Sequence, residues 1–263
     1  MGLKPGKSRL LIELRRKLQL VGVPFLDAAC YEGSFSDLAP LVEWIQALRL
    51  LGRANGRADV VEAHAGALAW LDGPETAPGP QPDDESLRRS RLRSLASFVV
   101  ALARPLRFVL HLGDVQWARS FTIDFLRLLY EELAVQREAG TPSRLRLVIS
   151  YRDDEVEGRP IAELLAAAPR RLSLALAPLD ADETEELIAA LLGAPEVPEV
   201  FTARVSHETG GNPFFIQEVL RGLMERGDVY LQAGRWAAPI DVAHLELPET
   251  IAAVLERRLA AVD

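Results

Sequence analysis

Short apolar runs alternate with stretches of helical period along residues 9–176, and that alternation leaves few folds open. Residues 23–29 (VPFLDAA), 107–112 (RFVLHL), 145–151 (LRLVISY) and 172–176 (LSLAL) each read as a short buried strand. Between them, apolar residues recur at helical spacing over 9–20, 38–51, 60–70 and 85–103, and again ahead of residue 145. Strands joined through helices pair in parallel, and a parallel sheet is stable only where helices cover it. The expectation is an α/β fold of four parallel strands with helices on both faces. Residues 72–84, rich in Pro, Gly and acid, read as a long exposed loop. Beyond Pro178 the pattern turns helical, with residues 180–183 (DADE) capping one helix and 210–213 (GGNP) opening another.

Composition sets the outer bounds. The chain has 263 residues, 49% hydrophobic and 26% charged, enough for one large domain or a domain with a helical appendage. A net charge of -8 argues against direct nucleic-acid binding, which needs a clustered basic surface. One cysteine, Cys30, permits no internal disulfide and suits a reducing compartment. No apolar run reaches the length of a membrane span, the first residues are not a signal peptide, and Gly6 stands where a myristoylation signal needs Ser or Thr. The cytoplasm is the expected location, with no membrane partner.

Two segments carry chemistry. Pro5-Gly6-Lys7-Ser8-Arg9 matches the end of the phosphate-loop pattern G-x-x-x-x-G-K-[ST], in which backbone N–H groups wrap phosphates, the lysine meets the terminal phosphates and the hydroxyl ligates Mg²⁺. The pattern's first glycine falls on Met1, and the strand that leads into such a loop has no residues, so the expected core lacks its first strand. Downstream, the apolar run 108–112 ends in Gly113-Asp114, a strand followed by an acid suited to the metal.

The series PGKSRLLIEL, PLRFVLHLGDVQWA, LRLVISYRDDE, APLDADETEELIAALLG and TGGNPFFIQEVL, in that order, resembles the AAA-type ATPase module of bacterial signal-transduction ATPases with numerous domains. Such modules occur in LuxR-type transcription regulators, multidomain serine/threonine kinases and nucleotide cyclases. The resemblance covers nearly the whole chain. It implies a P-loop nucleotide-binding core over 1–177, then a helical lid and the start of a winged-helix-like segment over 178–263. It also implies ATP or ADP as ligand with Mg²⁺, attached or partner signalling domains, and an open question of self-association.

The same resemblance assigns residues. Gly6, Lys7, Ser8 and Arg9 bind phosphate, with the Ser8 hydroxyl on Mg²⁺; the plainer reading is a helix start with a solvated lysine. Asp114 takes the second of two adjacent acidic positions, the catalytic one that helps polarise the attacking water, and Gly113 the first, where glycine cannot anchor the metal. Hydrolysis is accordingly expected to be weak or absent. Ser150 stands as a polar sensor and Arg152 as an arginine able to reach the γ-phosphate, or else as the ion-pair partner of Asp153 or Asp154. Pro213, in a G-x-P element, stands near the adenine and also in the first turn of a helix. His111 reads as a hydrogen-bonded core residue, since no cysteine or second histidine accompanies it. Cys30 reads as inert packing, as do Trp117, Phe214 and Phe215, while Arg88, Arg89, Arg91 and Arg93 read as a solvated helix face.

A metabolic kinase does not fit the Gln-Trp and Gly-Asn-Pro segments, and a GTPase would need an Asn-Lys-x-Asp guanine reader that the chain lacks. The expected function is an ATP/ADP-binding regulatory switch in a larger signalling or transcription-regulating protein, at most a slow ATPase. The alternative is a degenerate module that keeps the fold for protein interaction and binds no nucleotide.

Overall fold

The computed structural model describes residues 6–34, 36–72, 85–141, 143–168, 172–193, 197–232 and 235–237. Residues 1–5, most of the 72–84 loop and everything expected of a winged-helix-like segment beyond 237 lie outside the described residues.

The elements run α1 (Lys7–Leu20), β1 (Phe25–Ala29), α2 (Ala39–Ala54), α3 (Ala58–Leu68), α4 (Glu85–Ala103), β2 (Phe108–Gly113), α5 (Ser120–Glu138), β3 (Leu145–Ile149), α6 (Asp153–Val156) and α7 (Pro160–Ala167). Then come α8 (Ala181–Leu192), α9 (Glu199–Thr209), α10 (Pro213–Glu225), β4 (Tyr230–Gln232) and β5 (Arg235–Ala237). Strands β1, β2 and β3 form one parallel sheet in that order, with Asp27 opposite His111 and Leu112 opposite Ile149. This is an α/β sheet with flanking helices, as the alternation requires. The chain divides into two compact units, Glu13–Leu172 and Met1–Ile12 with Ser173–Asp263.

Because side chains alternate across a strand, each strand sends every second residue to one face. Ala28, Cys30, Phe108, Leu110, Leu112 and Leu145 go to the face that carries the main core, where Trp44, Leu48, Phe98 and Phe125 from α2, α4 and α5 are fully buried. The opposite face carries Asp27, His111, Gly113 and, just past β3, Ser150.

One expectation fails here. Residues 172–176 are not a strand: among the described residues the sheet holds β1, β2 and β3 alone, and Leu172 and Leu174 stand exposed. An apolar run becomes a strand only when a neighbour takes up its backbone N–H and C=O groups, and no ladder does so here. The basic set on α4 is also more than a solvated face. Arg88 bonds Asp124 of α5 and lies 4.2 Å over the Phe121 ring, Arg93 lies 3.6 Å from Glu131, and Arg91 sits 5.3 Å over Trp70. Helix α5 takes its cap from a distant loop, as the Asp37 carboxylate accepts the Phe121 N–H at 2.7 Å, a contact of a kind that stabilises by about 1 kcal/mol.

In the second unit, α8, α9 and α10 enclose a small core of Ile188, Leu192, Phe201, Val205, Ile216 and Leu223. Both predicted helix starts appear. Asp180 accepts from Glu183 N at 2.9 Å while Glu183 returns the bond to Asp180 N at 3.1 Å, a capping box. Asn212 caps α10 by accepting from Phe214 N at 3.0 Å, with Pro213 in the first turn. Phe215 is buried there as expected, whereas Phe214 is 37% exposed because it lies on the outer side of the first turn.

Candidate functional site

The segment expected to meet phosphate is built by a glycine and a helix start. Gly6 has φ +97°, a conformation open to glycine alone among common residues, and its carbonyl accepts the first α1 bond from Leu10 N at 2.8 Å. Lys7 and Ser8 therefore occupy the first turn of a 14-residue helix that has no acid in that turn. The N–H groups of a first turn have no partner within the helix, which suits an anion. Lys7 is half-buried; Ser8 and Arg9 are exposed. A Cβ on Gly6 would stand 3.7 Å from Leu176, so residue 176, though no strand, packs beside the loop.

The acidic end lies at the carboxyl ends of β2 and β3. Asp114 has φ +51°, the one positive φ outside glycine among the described residues, and opens a short 3₁₀ turn over Val115–Trp117. Aspartate tolerates this conformation better than most residues, because its short polar side chain bonds locally. Its Oδ1 accepts from Gln116 Nε2 at 3.3 Å, and Gln116 Oε1 accepts from Arg152 N at 3.3 Å. The wholly buried Gln116 thus ties the Asp114 turn to the segment after β3. Ser150 closes the same junction, its N–H donating to Leu112 O at 3.0 Å and its carbonyl accepting from Val115 N at 3.2 Å.

Arg152 is held. Its Nη1 lies 2.7 Å from Glu155 Oε1, a half-buried ion pair one turn along, so the acid that pairs with it is Glu155 and not the expected Asp153 or Asp154. His111 is buried and doubly bonded, Nδ1 to Asp27 Oδ1 at 2.6 Å and Nε2 to Ser150 Oγ at 3.0 Å. The core reading of His111 holds, but its partners were not visible in the pattern, nor was the bridging role of Gln116. The Gln-Trp pair was the signal for Gln116; for Asp27, a carboxylate inside an apolar strand was.

Burial pushes the Cys30 thiol up to about 12, helped by the nearby charges of Asp37 and Asp114. A thiol so far from ionisation is a poor nucleophile. Cys30 also lines a shallow depression beyond β1 with Ser34, Asp37, Trp117, Arg119 and Thr122.

The site residues divide between the two units: Gly6, Lys7, Ser8, Arg9 and Pro213 belong to one, and Asp114, Ser150 and Arg152 to the other. Ser8 and Asp114 each carry an oxygen of the hard kind that magnesium prefers, and Gly113 carries no side-chain oxygen. Among the described residues no three His, Cys, Asp or Glu side chains gather around a metal position, and no helix is long and apolar enough to cross a membrane.

Residues 180–235 match a domain of unknown function (DUF8739). No curated protein matches the chain. Among solved structures, the crystal structure of the FIGL-1 AAA domain in complex with ADP shares 17% identity over 64% of this chain, with a TM-score of 0.29, and this chain covers 56% of that one. The structure of Drosophila ORC bound to GC-rich DNA and Cdc6 shares 10% identity over 99% of this chain and 84% of its own, with a TM-score of 0.32. Residues 5–149 match the AAA ATPase domain, more than half of the 263 residues, and the chain therefore belongs to the AAA ATPase domain family.

Proposed function

We propose that this chain binds ATP or ADP and acts as a nucleotide-dependent switch within a larger signalling or transcription-regulating protein, with weak or absent hydrolysis. The observation that carries the reading is the Gly6 turn, with φ +97°, opening an acid-free helix start that bears Lys7 and Ser8, in a chain of this family. Lys7 supplies a point charge to the phosphates, while Gly6, Ser8 and Arg9 supply backbone N–H groups. Ser8 and Asp114 are the residues that would hold Mg²⁺, which when bound neutralises charge on the terminal phosphates. Pro213 stands with the base in this reading, and the lid it opens passes the nucleotide state to attached domains.

Weak turnover follows from two observations. Gly113 brings no carboxylate to the position beside Asp114, and Arg152 is already paired with Glu155. Phosphoryl transfer is catalysed chiefly by positioning and electrostatics, so a missing acid and an occupied arginine both cost rate.

Mg-ATP should raise the melting temperature, because a ligand that binds only the folded chain stabilises it by mass action. Lys7→Ala should remove the rise. No rise with millimolar ATP or ADP would favour the other reading that these observations support, an interaction module that keeps the fold without the ligand.

A further inference from the structure

We propose that the outer edge of β3 pairs with the same edge of a second copy of this chain, antiparallel and centred on Leu147, so that two sheets join into one. This goes beyond the nucleotide reading and does not depend on it.

The backbone directions follow from the ladder. Ser150 N donates to Leu112 O, and Ile149 is the residue opposite Leu112. Backbone groups of successive residues point to opposite edges of a strand, so Arg146 and Val148 turn theirs to β2 while Leu145, Leu147 and Ile149 turn theirs outward. Leu145 is served there: its N–H donates to Ser143 Oγ at 3.1 Å, and its carbonyl accepts from Arg146 Nη1 at 3.1 Å. Among the described residues nothing bonds the outward N–H and C=O groups of Leu147 and Ile149. Such an edge is a template for another strand.

The two edges of the sheet differ. On β1, Cys30 N donates to Gly113 O and Pro24 O accepts from Val109 N, which turns the backbone of Phe25, Asp27 and Ala29 to the outer side. The Asp27 side chain is 55% exposed, and a charge on an edge strand discourages pairing. Strand β3, Leu-Arg-Leu-Val-Ile, has no proline and no acid, and its Leu147, Val148 and Ile149 are half-buried.

A second copy fits because the strand complements itself. Turned antiparallel about Leu147, each Leu147 faces its counterpart and the pair exchanges two N–H···O bonds. Leu145 faces Ile149 of the second copy, and the Ile149 N–H meets a Leu145 carbonyl that has a second lone pair to offer. Arg146 faces Val148, so like charges are not directly opposed. Leu145, Leu147 and Ile149 pack on the main core, and the pairing keeps that apolar face on one side of the joined sheet. A two-fold contact uses the edge up, and Asp27 guards the other, so assembly stops at two. A five-residue strand is short beside a standard interface of about 1,600 Å², so the dimer should come apart on dilution.

Sedimentation equilibrium of the full chain without nucleotide, from about 1 to about 300 µM, should show the mean mass rising from one chain toward two. Amide exchange at Leu147 and Ile149 should slow over the same range. Leu147→Pro removes an outward N–H and no bond to β2, and should leave a monomer throughout. Val148→Lys and Val148→Glu burden the fold alike but set opposite charges against Arg146 of the second copy. Lysine should weaken the dimer, and glutamate tighten it, by about twofold to fivefold. A single chain at every concentration would overturn the proposal, as would a dimer that Leu147→Pro and both Val148 variants leave unchanged. Slow exchange at Leu147 and Ile149 in a dilute monomer would overturn it as well, by showing that the chain covers this edge itself.

Discussion

The Leu179 N–H donates to the Gly211 carbonyl at 2.8 Å, and the two backbones lie so close that a Cβ on Gly211 would stand 2.2 Å from the Leu179 carbonyl oxygen. Gly211 also has φ +67°, so both space and conformation exclude a side chain. The contact holds the segment entering α8 against the turn that opens α10.

Gly211→Ala should therefore destabilise the chain by more than about 2 kcal/mol, the sum of left-handed strain and a backbone clash. Its neighbour is the internal control. Gly210 has φ +57° but nothing within 4 Å of an added Cβ, so Gly210→Ala should cost only about 1 kcal/mol. Chemical denaturation of the two variants gives the comparison; equal losses would mean that the Leu179 contact contributes nothing.

Cys30 makes stability fall at high pH. Its folded value is about 12 against an ordinary 9.0, raised first by burial and then by Asp37 and Asp114. Below pH 9 both folded and unfolded thiols are protonated, and the contribution is fully present. Between about 9 and 12 the unfolded thiol ionises while the folded one does not, so the unfolded state holds fewer protons and stability drops as pH rises. Cys30→Ala should flatten that decline relative to the unaltered chain. Thiol reagents at pH 8 should label Cys30 only after unfolding; fast labelling of the native chain would contradict the burial.

Gly113 tests whether the missing acid limits turnover. A Cβ there would meet Ala29 Cβ and His111 Cε1 at 3.4 Å and Ala28 O at 3.7 Å, contacts that small shifts accommodate. Gly113→Asp should raise ATP hydrolysis above that of the unaltered chain, at a stability cost of about 1–3 kcal/mol for the buried carboxylate. Asp114→Asn is the matching loss-of-function change, because asparagine tolerates the left-handed backbone that Asp114 adopts. Turnover by the unaltered chain that ignores Lys7→Ala and Asp114→Asn would show the chemistry to lie elsewhere.

Local signals were legible wherever the physics is local. The apolar runs over 23–29, 107–112 and 145–151 anticipated β1, β2 and β3 to within about two residues, because each is a short apolar run bounded by helical pattern. Caps were equally readable: Asp180 with Glu183, and Asn212 with Pro213, satisfy backbone groups within three residues of themselves. Gly6 has the positive φ that a glycine before a helix start suggests.

The sequence by itself thus determined the apolar runs of β1, β2 and β3, the helix starts and the residue types at the candidate site, since each depends on neighbours a few positions away. Only the tertiary structure decided that residues 172–176 form no strand, for a strand exists through the partner that takes its hydrogen bonds. Arg152's choice of Glu155 among three adjoining acids was settled by side-chain geometry, which composition does not carry. Asp27, His111 and Ser150 are separated by 84 and 39 positions. Strand register alone brings them within hydrogen-bond reach, and register is a property of the assembled sheet.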